Sequence, residues 1–344
     1  MLEAIRMRRI VIAWVYLALS LAAVVLLLAS ISMGTISISI SDIVGALLGA
    51  EGKEQTSLVV NQIRLPRALL AALVGAVLGL CGAASQGLFR NPLADPSLIG
   101  VTSGASMGAS AVIVLSGTAI SPVLGLSLVS MGAFVGGIAA VWLVYRLSNY
   151  GASVASMLLA GIAITYLASS TTSLFEYYAD YEMLRRISLW RMGGLDGANY
   201  LQVSCAAFAL LLLVVTLPRY SSALNALLLG ESEARYLGVN VISLKRSVVV
   251  LIAAGMGVAV AIGGAIGFVG LVVPHVIRMI VGPDHKHLLP LTALAGACLL
   301  LLADLLARSL VSPSELPVGV ITAFIGAPLF IALLRHRYQY GMQS

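Results

Sequence analysis

Polar residues in this chain gather in short clusters, and between them run long stretches almost free of charge. Eight stretches have the length of a membrane-crossing helix: 10–31, 68–89, 97–116, 123–145, 155–178, 200–218, 288–307 and 318–334. Crossing the hydrocarbon core takes about 20 apolar residues in a helix. A further stretch, 247–281, would be about 52 Å long as one helix, too long for a single crossing. Gly263, Gly264 and Gly267, then Pro274, interrupt it, so the pattern predicts two pieces, 247–265 and 268–281, the second short. The runs are unbroken rather than alternating, which argues against a membrane β-barrel. The expectation is an all-α polytopic membrane protein with ten transmembrane helices.

Composition narrows the picture. Of 344 residues, 60% are hydrophobic and 10% charged, against about 25% charged in ordinary soluble domains. A soluble fold has too little polar surface to cover so much apolar chain, and disorder needs the opposite composition. The cysteines Cys81, Cys205 and Cys298 are odd in number and each sits in an apolar run, so they read as small hydrophobes rather than a disulfide framework. Residues 10–31 exceed a signal-peptide core and lack an A-x-A cleavage site, so they read as a retained span.

The net charge of +6 is spread through short loops, so it marks topology rather than nucleic-acid binding. Arg6, Arg8 and Arg9 at one end and Arg335 and Arg337 at the other place both termini in the cytoplasm, which requires an even number of spans. That topology leaves Lys53, Arg64, Arg67, Arg185, Arg186, Arg191 and Arg308 outside.

Shifted by 182 residues, the segment 64–100 matches 246–282 at nine of 37 positions, among them Arg64/Arg246, Gly75/Gly257 and Pro92/Pro274. The two first helices run in opposite directions, so the expected repeat is inverted, with halves near 64–178 and 246–334 of a single domain, 1–344; such repeats are typical of transporters. Mid-span positions carry no Asp, Glu, Lys or Arg, which disfavours ion coupling. Asp304 and Arg308, four apart, predict a local ion pair. No HExxH or CxxC occurs, and Gly52-Lys53 lacks phosphate-loop spacing, so no catalytic residue, metal site or bound cofactor is expected. If cargo moves uphill, another subunit supplies the energy. The longest cytoplasmic segment, 219–246, contains Leu227–Gly238, read as a short amphipathic helix bracketed by Gly230 and Gly238. Ala234 and Leu237 share one face, and Glu231 and Arg235 are four apart. A helix this short is unstable alone and needs a surface to pack on.

Four stretches carry a family resemblance: Arg64-Leu65-Pro66-Arg67; Gln86 to Pro96 leading to Gly100–Ala105; Leu229-Gly230-Glu231 with Ala234, Leu237 and Gly238; and Gly267–His275 followed by Glu315–Gly319. Together they resemble the permease subunit of ATP-binding-cassette importers for iron–siderophore, haem and cobalamin (the FecCD-type, type II importer fold), across nearly the whole chain. The resemblance implies a homodimer in the bacterial inner membrane, two cytoplasmic ATPases that bind ATP and Mg, and a periplasmic binding protein above. It maps binding-protein docking to Arg64, Arg67 and Arg308. ATPase coupling falls on Gly230, Glu231, Ala234, Arg235, Leu237 and Gly238, and the cytoplasmic gate on Asn91, Pro92, Leu93, Val154 and Ala155. Val154-Ala155 replaces the hydroxyl residues of the cobalamin branch, which predicts a more apolar constriction. Tyr177, Tyr178, Tyr181, Arg185 and Arg186 follow the fifth span on the outer side; rings and arginines there suit haem and its propionates, while the same residues also suit an interfacial aromatic belt. Leu88–Pro96 and Val281–His285 look most like the haem branch. Haem is the expected cargo, with a ferric siderophore or cobalamin as alternatives of the same family. An ion-coupled carrier and a non-transporting scaffold are the competing classes.

Overall fold

A computed structural model describes residues 2–34, 38–47, 54–116, 122–150, 153–311 and 313–341. Lys53 lies outside the described residues, as do the side chains of Arg6, Arg335 and Arg337. In chain order the helices are α1 (Leu2–Ser32), α2 (Ile40–Leu47), α3 (Glu54–Leu58), α4 (Leu65–Leu88), α5 (Val101–Ser116), α6 (Pro122–Leu147), α7 (Val154–Tyr178) and α8 (Tyr181–Met192). They continue with α9 (Tyr200–Thr216), α10 (Ser221–Leu229), α11 (Glu231–Tyr236), α12 (Val241–Gly263), α13 (Val269–Val281), α14 (His285–Ser309) and α15 (Val318–Gly341). A π-helical turn, Val59–Arg64, leads into α4. No β-strand occurs among the described residues.

Among the described residues, seven helical segments are long and apolar enough to cross a membrane, and three shorter apolar helices, Val101–Ser116, Val269–Val281 and Val318–Ala332, accompany them. The stretch 97–116, expected as one span, is broken. Asp95 caps a 3-10 turn at Pro96–Ile99 by accepting from the Ser97 N–H, and Gly100 then turns left-handed (φ 79°) before α5 begins. The stretch 247–281 divides where the glycines predicted. The α12 helix ends at Gly263, Gly264 is left-handed, and α13 starts at Val269; Pro274 sits inside α13 rather than ending it. The charged outer segment 181–192, not foreseen as a helix, forms α8, with Asp180 accepting from the Met183 N–H at 2.8 Å.

The α4 helix is the hub, buried almost along its whole length. It lies against α14 so closely that a Cβ at Gly75 would overlap the Gly296 carbonyl oxygen, and one at Gly79 that of Thr292. A second seam joins α5 to α6, where Gly104 faces Gly136 and Gly108 faces Gly132. Small residues let helix backbones approach where lipid offers no hydrophobic drive between helices. Around this centre, α1, α7 and α9 turn large apolar side chains outward: Trp14, Leu21, Leu159, Tyr166 and Phe208 are all more than half exposed. A soluble monomer rarely exposes such a belt, and a bilayer accommodates it.

Candidate functional site

Two polar networks interrupt the apolar body, one at each end. The Arg8 guanidinium donates to the Val281 carbonyl at 3.1 Å, so the N-terminal helix and the α13–α14 turn share one end. The Tyr200 hydroxyl donates to the Asn61 carbonyl at 2.7 Å at the other. These ends are the inner and outer faces of the expected topology.

At the outer end, Arg67 enters from the first turn of α4. It binds Asp304 of α14 at 2.8 Å, Glu315 at 2.7 Å and Asp196 at 3.3 Å. Asp304 is fully buried and also holds Arg308 at 3.1 Å, so the expected local pair forms inside a larger network. Arg308 further donates to the Ser30 hydroxyl at 2.8 Å and the Ser30 carbonyl at 3.1 Å. Arg64 donates to the carbonyls of Ile31 and Ser32, both at 2.9 Å. The three arginines therefore tie the outer ends of α1, α4 and α14 together, and each is less than one-tenth exposed. Burial alone would raise the Glu315 carboxyl; the hydrogen bond and charge of Arg67 outweigh it and hold the group below its ordinary value.

At the inner end, α10 and α11 meet at Gly230, whose backbone (φ 139°, ψ 158°) breaks the helix. The single helix expected over Leu227–Gly238 is thus two, and Gly230 and Gly238 bound the second; Gly238 is left-handed at φ 83°. Ala234 and Leu237, expected to share a contact face, part company. Ala234 is fully buried within its own chain, while Leu237 is 64% and Tyr236 92% exposed. The expected brace from Arg235 to Glu231 is long, 4.0 Å, and the short partner of Glu231 is Lys245 of α12 at 2.8 Å.

The expected gate residues also lie at this end. Asn91, Pro92 and Leu93 form a tight loop after α4, with the Asn91 side-chain oxygen accepting from the Leu93 N–H at 3.0 Å. Nδ1 of His275 is 3.3 Å from the Pro92 carbonyl. Val154 and Ala155 open α7 behind Ser153, which caps the helix through the Ser156 N–H; Val154 is half-buried and Ala155 exposed. In the stretch Tyr177–Arg186, Tyr177, Tyr178, Tyr181, Arg185 and Arg186 are all exposed, and the rings of Tyr177 and Tyr178 meet edge-on at 5.2 Å. No cluster of metal-ligating side chains occurs among the described residues.

Asp196 and Lys245 were not singled out from the sequence, and Glu315 entered only as the first residue of a family stretch, with no partner assigned. A signal existed for Lys245: it falls in the stripe Val241, Leu244, Val248, Val249 and Ile252, whose spacing marks the buried face of α12. Residues Asp304 and Glu315 share the outer side with Arg67 in the expected topology, but 237 and 248 positions of chain separate them from it.

Comparison with known proteins identifies the group. Residues 21–336 match the model of the FecCD transport family, and the chain belongs to it. It is 44% identical over 318 residues to the hemin transport system permease protein HmuU of Yersinia pestis, covering 92% of this chain and 94% of that one. It is 43% identical over 286 residues to the cobalamin import system permease protein BtuC of Halobacterium salinarum, covering 83% and 75% respectively. A solved structure described as a metal-chelate type ABC transporter in an inward-facing conformation superposes with a TM-score of 0.83 at 36% identity, covering 93% of this chain and 98% of that one. The protein is thus a multi-pass permease subunit of an ABC importer, a transport component rather than an enzyme. That membership sets aside the ion-coupled carrier and the scaffold.

Proposed function

We propose that this permease carries haem from a periplasmic binding protein to the cytoplasm of a bacterial cell. The observation that carries the choice is the 44% identity to a hemin permease over 92% of this chain and 94% of that one. The exposed Tyr177–Arg186 patch fits the same cargo: rings can lie against a macrocycle, and Arg185 and Arg186 can pair with propionates. The seven long and three short apolar helices then make ten spans in the inner membrane, an even number that returns both termini to the cytoplasm.

On this reading the working unit is a homodimer on two ATPases, which bind the ATP and Mg; the chain itself holds no cofactor. The segment Gly230–Gly238 seats in the ATPase through its exposed Tyr236 and Leu237. The loop Asn91–Leu93 with Val154 and Ala155 closes the path on the cytoplasmic side. Arg64, Arg67 and Arg308 receive the acidic pair of the binding protein. Because Arg67 is already paired with the more exposed carboxylates Glu315 and Asp196, docking at that arginine proceeds by exchange with them. The inverted repeat relates the half beginning at α4 to the half beginning at α12.

The test is uptake into proteoliposomes holding the permease, its ATPase and its binding protein, with haem, a ferric siderophore and cobalamin as separate cargos. Haem should accumulate with ATP, and Tyr181→Ala and Arg185→Ala should each lower uptake severalfold with little change in ATP hydrolysis. Accumulation of cobalamin or the siderophore, but not of haem, would overturn the choice of cargo and leave the family intact.

A further inference from the structure

Lys245 is the largest of the fully buried side chains, at 2% exposure. It stands in the first turns of α12, on the apolar face. A buried ammonium is strongly destabilising unless a counter-charge compensates it. That counter-charge is Glu231, whose Oε1 accepts from Nζ at 2.8 Å. Glu231 is the first residue of α11 and follows the break at Gly230 directly. The short helix is therefore held to α12 by a carboxylate that cannot leave without stranding a charge.

The same oxygen faces a second cation. Nη2 of Arg90 lies 4.0 Å from Glu231 Oε1. Arg90 is the residue next to the Asn91–Leu93 loop, and its backbone is left-handed (φ 50°), a conformation uncommon for a non-glycine residue. At that distance the pair is made loosely, and a charge-assisted hydrogen bond needs an approach about 1 Å closer. One carboxylate thus grips α12 tightly and the gate loop loosely. A small shift of α11 changes the second contact before it disturbs the first.

We infer that Glu231 is the joint that passes movement of α11 to the cytoplasmic gate, with Lys245 as its anchor and Arg90 as the contact that is made and broken. This rests on the proposal that Gly230–Gly238 seats in the ATPase, and it adds the route by which that seat reaches the gate. Lys245 and Glu231 are positioning residues; neither need touch cargo.

The experiment uses the full assembly in proteoliposomes and reads three quantities: ATPase co-purification, ATP hydrolysis and cargo moved per ATP. Arg90→Gln should leave the ATPase bound and hydrolysing within about twofold of wild type while cargo moved per ATP falls about tenfold. Glu231→Gln should also uncouple transport and should lower the melting temperature, because Lys245 is stranded. Adding Lys245→Met to Glu231→Gln should restore the melting temperature but not the coupling. A merely structural role would restore both. Unchanged cargo per ATP in Arg90→Gln, recovered coupling in the double variant, or loss of the ATPase from Arg90→Gln would each overturn the inference. The seat itself is tested separately by Leu237→Asp, which should lose the ATPase whatever Arg90 does.

Discussion

Asp304 shows how little an isolated pair reveals about a buried charge. Its spacing to Arg308 predicts an i,i+4 bridge, and the bridge is present at 3.1 Å. The carboxylate is fully buried, however, and its closer partner is Arg67 at 2.8 Å. Removing one partner of a buried pair costs about 3–5 kcal/mol, because the other charge stays behind. Arg67→Ala should therefore lower the melting temperature of the detergent-solubilised protein clearly, and Arg67→Lys should recover little, since one ammonium cannot span Asp304 and Glu315 as the guanidinium fork does. A wild-type melting curve for Arg67→Ala would contradict the network. Glu315 adds a pH dependence. Its carboxyl is held below the ordinary glutamate value, so the stability it contributes is fully present above that value and is lost as pH falls through the lowered one. Melting curves across acidic pH should show wild type and Glu315→Gln converging as acid is added and diverging toward neutrality. Which outer charges meet was not legible in the chain, because the meeting is made by helix packing over hundreds of positions.

Helices were the most legible level. Apolar run length predicted their places, and glycine clusters predicted the break between α12 and α13, because left-handed backbone at Gly264 has a residue that tolerates it. Finer features depended on context. The stretch 97–116 hides the turn at Gly100, since Asp95 and Pro96 look like an ordinary span entrance until the cap forms. A short helix between Gly230 and Gly238 was legible in the chain, but the inward and outward sides of α11 were not, because six residues are too few for periodicity to orient a helix. The expected consequences of substitution divide accordingly. Leu237→Asp, on the exposed side, should abolish ATPase co-purification while the permease remains monodisperse. Ala234→Arg places a long cation where the chain has no room, and should instead broaden the size-exclusion profile of the permease purified alone. Equal behaviour of the two variants on that column would mean that Ala234 is not a packing residue.

Across the whole molecule, the two glycine seams divide the bundle unevenly. At Gly75–Gly296 and at Gly104–Gly136 backbone meets backbone, with no side chain between to change rotamer. Such contacts cannot slide by small steps, because packed backbones offer no intermediate arrangement. The α4–α14 pair and the α5–α6 pair are each joined backbone to backbone, and α12 packs against α4, α5 and α6 between them. The expectation for a conversion between outward and inward states is a change in the angle between these two beams, with no rearrangement inside either. Spin labels on α4 and α14 should report one unchanging distance with and without nucleotide, and labels on α14 and α6 should report two.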